Sequence, residues 1–524
     1  MRTLLSTVLI ASVCAGPLGS QSTLAHPRDG EIHDADTKAW WHTTEALSDD
    51  SREGRDTGSL AYQHAAVYVS SRFMQAGLQP AGEKGTYFQS VSMDEIDIVP
   101  EGTSFVLTRA SGKVEFTFLQ QITVGPVNVM LTKGEGELTF RGYCGKDAMQ
   151  DVQSKIVVCF GTQRQGLPSG TERAANARAG GALGLVSVDD PYFSIEPPRW
   201  PYAYARSVSL GMNGHSVDNL GATLPAMRLS AEGLAGLLEG SGQDAAALLK
   251  LGGAKQPLPS FDIPGRLSVT LHRTEHMIAS PNVFAVLPGS DPKLKGEYVV
   301  ISAHLDGYGF GTPVKGDGLY NGTLDDAAYV ALLIQMADDI HAGKLPRPKR
   351  SILFAAFTGE EKGLLGSNWF VQHPTVPLAD LAADVNLDQL RPLFPLKILT
   401  AEALGDTTLG ATAQQVGAGM GIELRPDREP ERGLLRRADQ FPFLKMGVPA
   451  ISFIFGYDPG TEAERRYREW YEVRYHRPQD DLTQPMDFDA ARKFDAFFYA
   501  LVEAIANGAE RPRILAGSAF AAKP

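Results

Sequence analysis

Residues 298–306 read Tyr-Val-Val-Ile-Ser-Ala-His-Leu-Asp, an apolar run that closes on a histidine and an aspartate. Such a run with little polar alternation predicts a strand covered on both faces, as in a parallel sheet. The same texture recurs downstream. Asp326–Ile340 and Leu364–Gln372 have helical spacing, while Ser351–Phe357 (SILFAAF), Ala382–Leu387 (AADVNL) and Ala450–Phe455 (AISFIF) read as further buried strands. This alternation predicts an α/β fold with a mixed, mostly parallel sheet flanked by helices.

Upstream, Tyr62–Leu78 predicts one amphipathic helix with Ala66, Val67, Val69, Phe73 and Met74 on its apolar side and Gly77 as its stop. Residues 125–262 differ in texture, with short β-rich runs around Ala174–Gly181 (AANARAGG) and few histidines or acids that could build a site. They read as an inserted, β-rich module. The prolines of Gln256–Pro264 predict an irregular boundary after it. At the N-terminus, Arg2, an apolar stretch from Leu4 to Gly16 and the small-residue site Thr23-Leu24-Ala25 predict an export signal. That stretch is too short to cross a bilayer as a helix of about 20 residues. The chain therefore divides into a signal (1–25), a first part of the main domain (26–124), the module (125–262), the remainder of the main domain (263–515) and a tail (516–524).

With 524 residues, 43% of them hydrophobic and 21% charged, the chain has the composition of a globular protein rather than a disordered or fibrous one. A net charge of −12 without a Lys/Arg-rich run argues against nucleic acid as a partner. After signal removal Cys144 and Cys159 remain, either as a disulfide or as two separate thiols with Cys159 in the apolar run Ile156–Phe160. Asn321-Gly-Thr323 matches a glycosylation sequon, a pattern short enough to arise by chance.

The chemistry collects where strands end. His304 and Asp306 follow the first strand, Glu360 and Glu361 the second, Asp388 the third, and Asp325 and Asp326 stand where a helix begins. Ligands of open α/β sheets bind at the carboxyl ends of the strands, so these groups should converge there. So many carboxylates would repel one another without cations, and a mixture of imidazole and carboxylate suits zinc or a neighbouring ion. His476, in a late polar loop, supplies a second imidazole. Two histidines and three carboxylates are the ligand stock of a two-metal hydrolase, which leaves Glu360 free as a base.

The segments SAHLD (302–306), Leu324-Asp-Asp-Ala327, FTGEEKGLLGS (357–367), NLD (386–388) and YHRPQDD (475–481), in that order and spacing, resemble the family-28 metallopeptidases, co-catalytic two-zinc aminopeptidases of zinc-exopeptidase fold. The resemblance covers residues 40–125 and 263–510. Lys155-Ile-Val-Val158 and the Ala-Gly-Gly-Ala run ending at Ala182 resemble the protease-associated domain that many members carry as an insertion. It implies two Zn2+ per chain, one held by His304 and Asp388, the other by Glu361 and His476, with Asp325 bridging. It further implies Glu360 as general base, Asp306 orienting His304, Asp439 and Tyr475 in supporting or substrate-facing positions, and a cis bond between Asp325 and Asp326. Substrates would be peptides with a free N-terminus, with no membrane insertion. The module, placed between two parts of the peptidase, would wall the site and restrict it to short peptides.

Two departures stand out: Ala327-Ala328-Tyr329 replaces a small residue followed by Ser-Gly, and Ala438-Asp439-Gln440 replaces Ser-Asp-His. Other functions on this scaffold are a dipeptidase or carboxypeptidase, with Arg391, Arg436 or Arg437 holding a substrate carboxylate; a single-zinc glutaminyl-cyclase-type transferase; and a binding protein without catalysis. The six filled positions argue against the last.

Overall fold

The computed structural model describes residues 26–161, 166–211 and 223–521; the expected export signal lies outside them. The central strands are those expected. Tyr298–His304, Ser351–Phe357, Leu381–Asn386 and Ala450–Phe455 run parallel to one another, and nearly every residue in them is buried. Val299, Ile301 and Ala303 enter one apolar core while Val300 enters the other, the period-two division of a sheet covered on both faces. Ile398–Glu402 extends the sheet antiparallel to Ala450–Phe455, with Glu423–Arg425 beyond it, so the sheet is mixed but mostly parallel.

Helix Ala328–His341 lies against this sheet with eleven of its residues buried, which is why its sequence is apolar almost all round. The expected amphipathic helix spans Leu60–Gln75, after a first helix at Ala35–Ser48, and buries Ala66, Val69 and Phe73, but Val67 and Met74 are 55% and 59% exposed. At about 100° per residue these two fall on the face opposite the Tyr62–Ala66–Val69–Phe73 stripe, so the expected core set was too wide by two.

Two strands carry the module. Phe88–Arg109 and Ser260–Leu287 pair antiparallel over most of their length. The second also pairs with Ser351–Phe357 at its C-terminal end and with the module strand Lys133–Arg141 at its N-terminal end. The expected irregular boundary is therefore corrected from Ser260 onward, where the chain is strand. Pro264 is exposed and sits where the register to Lys133–Arg141 shifts, and Pro100 sits at the shift opposite Thr270/His272. A strand tolerates proline at a bulge because no ladder hydrogen bond is lost there.

The module's own sheet runs Lys133–Arg141, Ile156–Phe160, Gly184–Val188, Ala226–Leu229, Ile122–Gly125. Its core draws residues from Ile98 to Leu271, so positions 125 and 262 lie inside it. Cys144 and Cys159 form a disulfide at a Cα separation of 5.6 Å. Among the described residues no helix is long and apolar enough to cross a membrane.

Candidate metal centre

The five expected ligands meet at the carboxyl edge of the sheet. His304 ends its strand, Asp388 follows Leu381–Asn386, Glu360 and Glu361 follow Ser351–Phe357, and Asp325 lies in a single π-turn, Thr323–Ala327, ahead of the long helix. They form two ligand triads that share one carboxylate: His304, Asp325 and Asp388, and Asp325, Glu361 and His476. His304 Nε2 is 3.2 Å from Asp325 Oδ1 and 4.0 Å from Asp388 Oδ1. His476 Nε2 is 3.2 Å from Glu361 Oε2 and 3.4 Å from Asp325 Oδ2. Glu360 reaches to 3.8 Å from His304 Nε2, and with His304 and Glu361, one member of each triad, it makes a further group close enough to hold an ion.

Both imidazoles are set so that Nε2 faces this cluster. His304 Nδ1 lies 3.0 Å from the Asp306 carbonyl, which only accepts, so Nδ1 carries the proton and Nε2 the lone pair. His476 Nδ1 is 2.8 Å from the Tyr308 hydroxyl, which can donate or accept; the contact orients the ring with Nε2 toward the cluster without fixing the proton. Asp306 thus acts on His304 through its backbone, while its carboxylate, 3.8 Å from Nδ1, accepts from Thr57 Oγ1 at 2.9 Å and from the Glu360 N–H at 3.1 Å. That last bond places the backbone of Glu360.

Asp325, the aspartate common to both triads, is held by a residue that the ligand spacing did not single out. Asp480 accepts the Leu324 and Asp325 N–H groups at 3.0 and 3.1 Å and is itself fixed by Gln484 Nε2 at 2.6 Å. It belongs to the YHRPQDD segment, whose two aspartates cannot be ranked without the fold. Asp326, joined to Asp325 by a cis bond, accepts the His304 N–H at 3.0 Å. Asp439 accepts from Ser367 Oγ and touches no expected ligand by hydrogen bond. Tyr475 stacks on His476 with ring centroids 3.7 Å apart and accepts from Arg437 Nη2 at 3.1 Å.

Both sequence departures are accommodated. Tyr329 is buried, with its hydroxyl oxygen accepting the Arg391 N–H at 2.9 Å. Gln440 is also buried and donates from Nε2 to the Leu435 carbonyl. Of the three arginines considered for a substrate carboxylate, Arg391 is fully buried against Tyr471, Tyr467 and Trp470, Arg436 is exposed, and Arg437 alone lines a cavity at the site. Asn321 is buried and donates to the Ser48 carbonyl and the Asp50 carboxylate, which removes it from glycosylation.

The electrostatics are those of a site built for cations. Burial and the neighbouring carboxylates Asp388 and Glu361 push Glu360 well above the ordinary carboxyl range, against the opposing pull of His304. Burial, against His304 but aided by Asp325, Glu361 and Asp439, raises Asp388 to about 7. Burial alone would lower His304, yet Asp326, Glu360 and Asp388 raise it well above its usual value. Asp325 Oδ2, Asp388 Oδ1 and His476 Nε2 are buried with no hydrogen-bond partner. Unpartnered buried acceptors cost about 1–3 kcal/mol each, and a divalent ion would satisfy all three. The imidazole and carboxylate donor set fits zinc.

Residues 282–502 match the model of peptidase family M28. A probable zinc metalloprotease of Pyrenophora tritici-repentis (strain Pt-1C-BFP) is 28% identical over 243 residues, which are 40% of this chain and 52% of that protein. A glutamate carboxypeptidase 2 homolog of Caenorhabditis elegans is 26% identical over 198 residues, covering 37% of this chain and 24% of the relative. The chain thus spans about half the length, or less, of these curated relatives. The aminopeptidase from Aneurinibacillus sp. strain AM-1 has the same fold, with a TM-score of 0.58 at 17% identity over 91% of this chain and 95% of that one.

Proposed function

Because this chain belongs to peptidase family M28 across residues 282–502, we propose that it is a zinc-dependent aminopeptidase that releases N-terminal residues from peptides. The observation that carries the reading is the pair of ligand triads sharing Asp325, with Glu360 left over beside His304 and Glu361 once the five ligands are assigned. His304, Asp325 and Asp388 would hold one zinc, and Asp325, Glu361 and His476 the other. Bound there, the ions supply an acidified water, a polarised scissile carbonyl and an anchor for a free amine. Glu360 takes the proton of the attacking water and returns it to the nitrogen of the leaving peptide. Asp306 keeps Glu360 in reach through the 3.1 Å bond to its N–H. The module is read as a protease-associated domain, and the protein as exported.

The test is product analysis on tetrapeptides. Zinc-loaded protein should liberate the N-terminal residue first, lose activity on N-acetylated peptides and with chelator, and regain it with zinc. First release of the C-terminal residue would transfer the assignment to a carboxypeptidase, the reading favoured by the name of the nematode relative.

A further inference from the structure

A cavity of about 560 Å3 is lined by residues of both the module and the metal centre, His476 and Tyr308 among them. Its wall carries six guanidinium groups against three carboxylates, in a chain whose net charge is −12. The local excess of positive charge therefore runs against the whole molecule.

Three of these arginines share one acid. Arg437 Nη1, Arg199 Nη2 and Arg432 Nε lie 2.8, 3.2 and 3.7 Å from the Glu196 carboxylate; with Glu429 Oε2 at 3.7 Å from Arg432 Nη1, two acids face three guanidinium groups. Arg199 Nη1 and Arg432 Nε and Nη2 are buried with no hydrogen-bond partner, and the Arg432 side chain is 1% exposed. Buried guanidinium nitrogens left unpaired are costly unless an anion completes them. Arg228, also in the lining, is held by Asp189 at 2.7 Å but keeps 48% of its side chain exposed. Arg477 fixes the wall itself, donating to the Trp200 and Pro201 carbonyls at 3.0 and 2.6 Å.

The charge sits close to the chemistry. The Arg199 guanidinium lies 4.5 Å from the Tyr475 ring centroid, and that ring is 3.7 Å from the His476 ring. A single aromatic ring thus separates the cationic wall from a metal-holding histidine, a span of one or two peptide residues at about 3.3 Å each.

We propose that this arginine wall binds a carboxylate of the substrate on the leaving side of the scissile bond, making the protein selective for short peptides, di- to tetrapeptides, that present a free C-terminal carboxylate. This rests on the aminopeptidase reading and adds a subsite to it. Bidentate guanidinium recognition gives the geometric preference. The same chemistry would accept an acidic side chain at that position.

The experiment compares kcat/KM for peptides with a free N-terminus and identical sequence, ending either as the acid or as the amide, in zinc-loaded full-length protein. The acid should be preferred at least about tenfold for tripeptides, through KM, and the preference should shrink as the peptide grows to eight residues. A tripeptide amide ending in aspartate tests the other source of the carboxylate, and recovery there would support the same wall with a side chain as its ligand. Arg199→Gln and Arg228→Gln should each pull the acid-to-amide ratio toward one. Equal rates for acid and amide while the N-terminal residue is still released would overturn the proposal and leave the aminopeptidase standing. An acid preference retained in both variants would overturn the arginine assignment. Release of the C-terminal residue instead would remove the reading on which it rests.

Discussion

At the scale of single residues, Glu360 and Tyr308 separate catalysis from metal retention. Glu360 touches no ligand by hydrogen bond through its side chain and is the acid left over once the triads are filled. Glu360→Gln should lower kcat by about 10²–10⁴-fold with zinc content unchanged, measured by steady-state kinetics beside metal analysis. The Tyr308 hydroxyl meets the site at one atom, His476 Nδ1, 2.8 Å away. Tyr308→Phe is expected to weaken zinc at the His476 site by about 10–100-fold, read by competition with a chelator, with kcat recovered at saturating zinc. The ligands were legible because a strand end is a recognisable place and the acids and histidines sit there one strand after another. Tyr308, Thr57 and Asp480 were not, since a hydroxyl or an acid in a loop carries no period, and only the fold shows what it touches.

At the scale of elements, the buried strands read correctly because burial on both faces leaves a continuous apolar run, and the helix Ala328–His341 because burial all round leaves the same signature at helical length. The two long strands escaped notice. Pro100, Gly102 and Pro264 punctuate them, and proline and glycine ordinarily mark loops; here they fall at register shifts, where a strand bends without ending. The turn that carries Asp325 is likewise defined from a distance, by Asp480 accepting two successive N–H groups. Asp480→Asn is nearly isosteric but turns an acceptor into a partial donor against those N–H groups. It should cost about 1–3 kcal/mol of stability, measured as a lower denaturant midpoint at unchanged slope.

At the scale of the whole molecule, module and peptidase are clasped through Glu196. Burial would raise this carboxyl, but the hydrogen bond and charge of Arg437, with Arg199 and Arg432, overcome it and lower it to about 2 from an ordinary 4.5. A depressed native value means that the clasp contributes its full stability above pH 4.5 and loses it as the pH falls through about 2. The contribution is on the order of 1–3 kcal/mol. Thermal unfolding followed between pH 5 and about 2.5 should therefore fall less steeply in Glu196→Gln than in the wild type, after a lower start. Glu196 and Arg199 sit in a proline-rich loop of the module, 241 residues from Arg437 in the first case, and no local pattern announces a partner at that distance.

The strand Ser260–Leu287 belongs at once to the peptidase sheet and to the module's core. A segment of backbone cannot be native at one end and melted at the other without fraying hydrogen bonds along its length, so the two cores are coupled in unfolding as though they were one. In genetic terms the module is not a cassette with clean ends. Any excision that spares the peptidase has to cut across both arms between Phe88 and Ile98 and between Leu271 and Val283, and close them with a hairpin turn, so that the edge they cover stays paired.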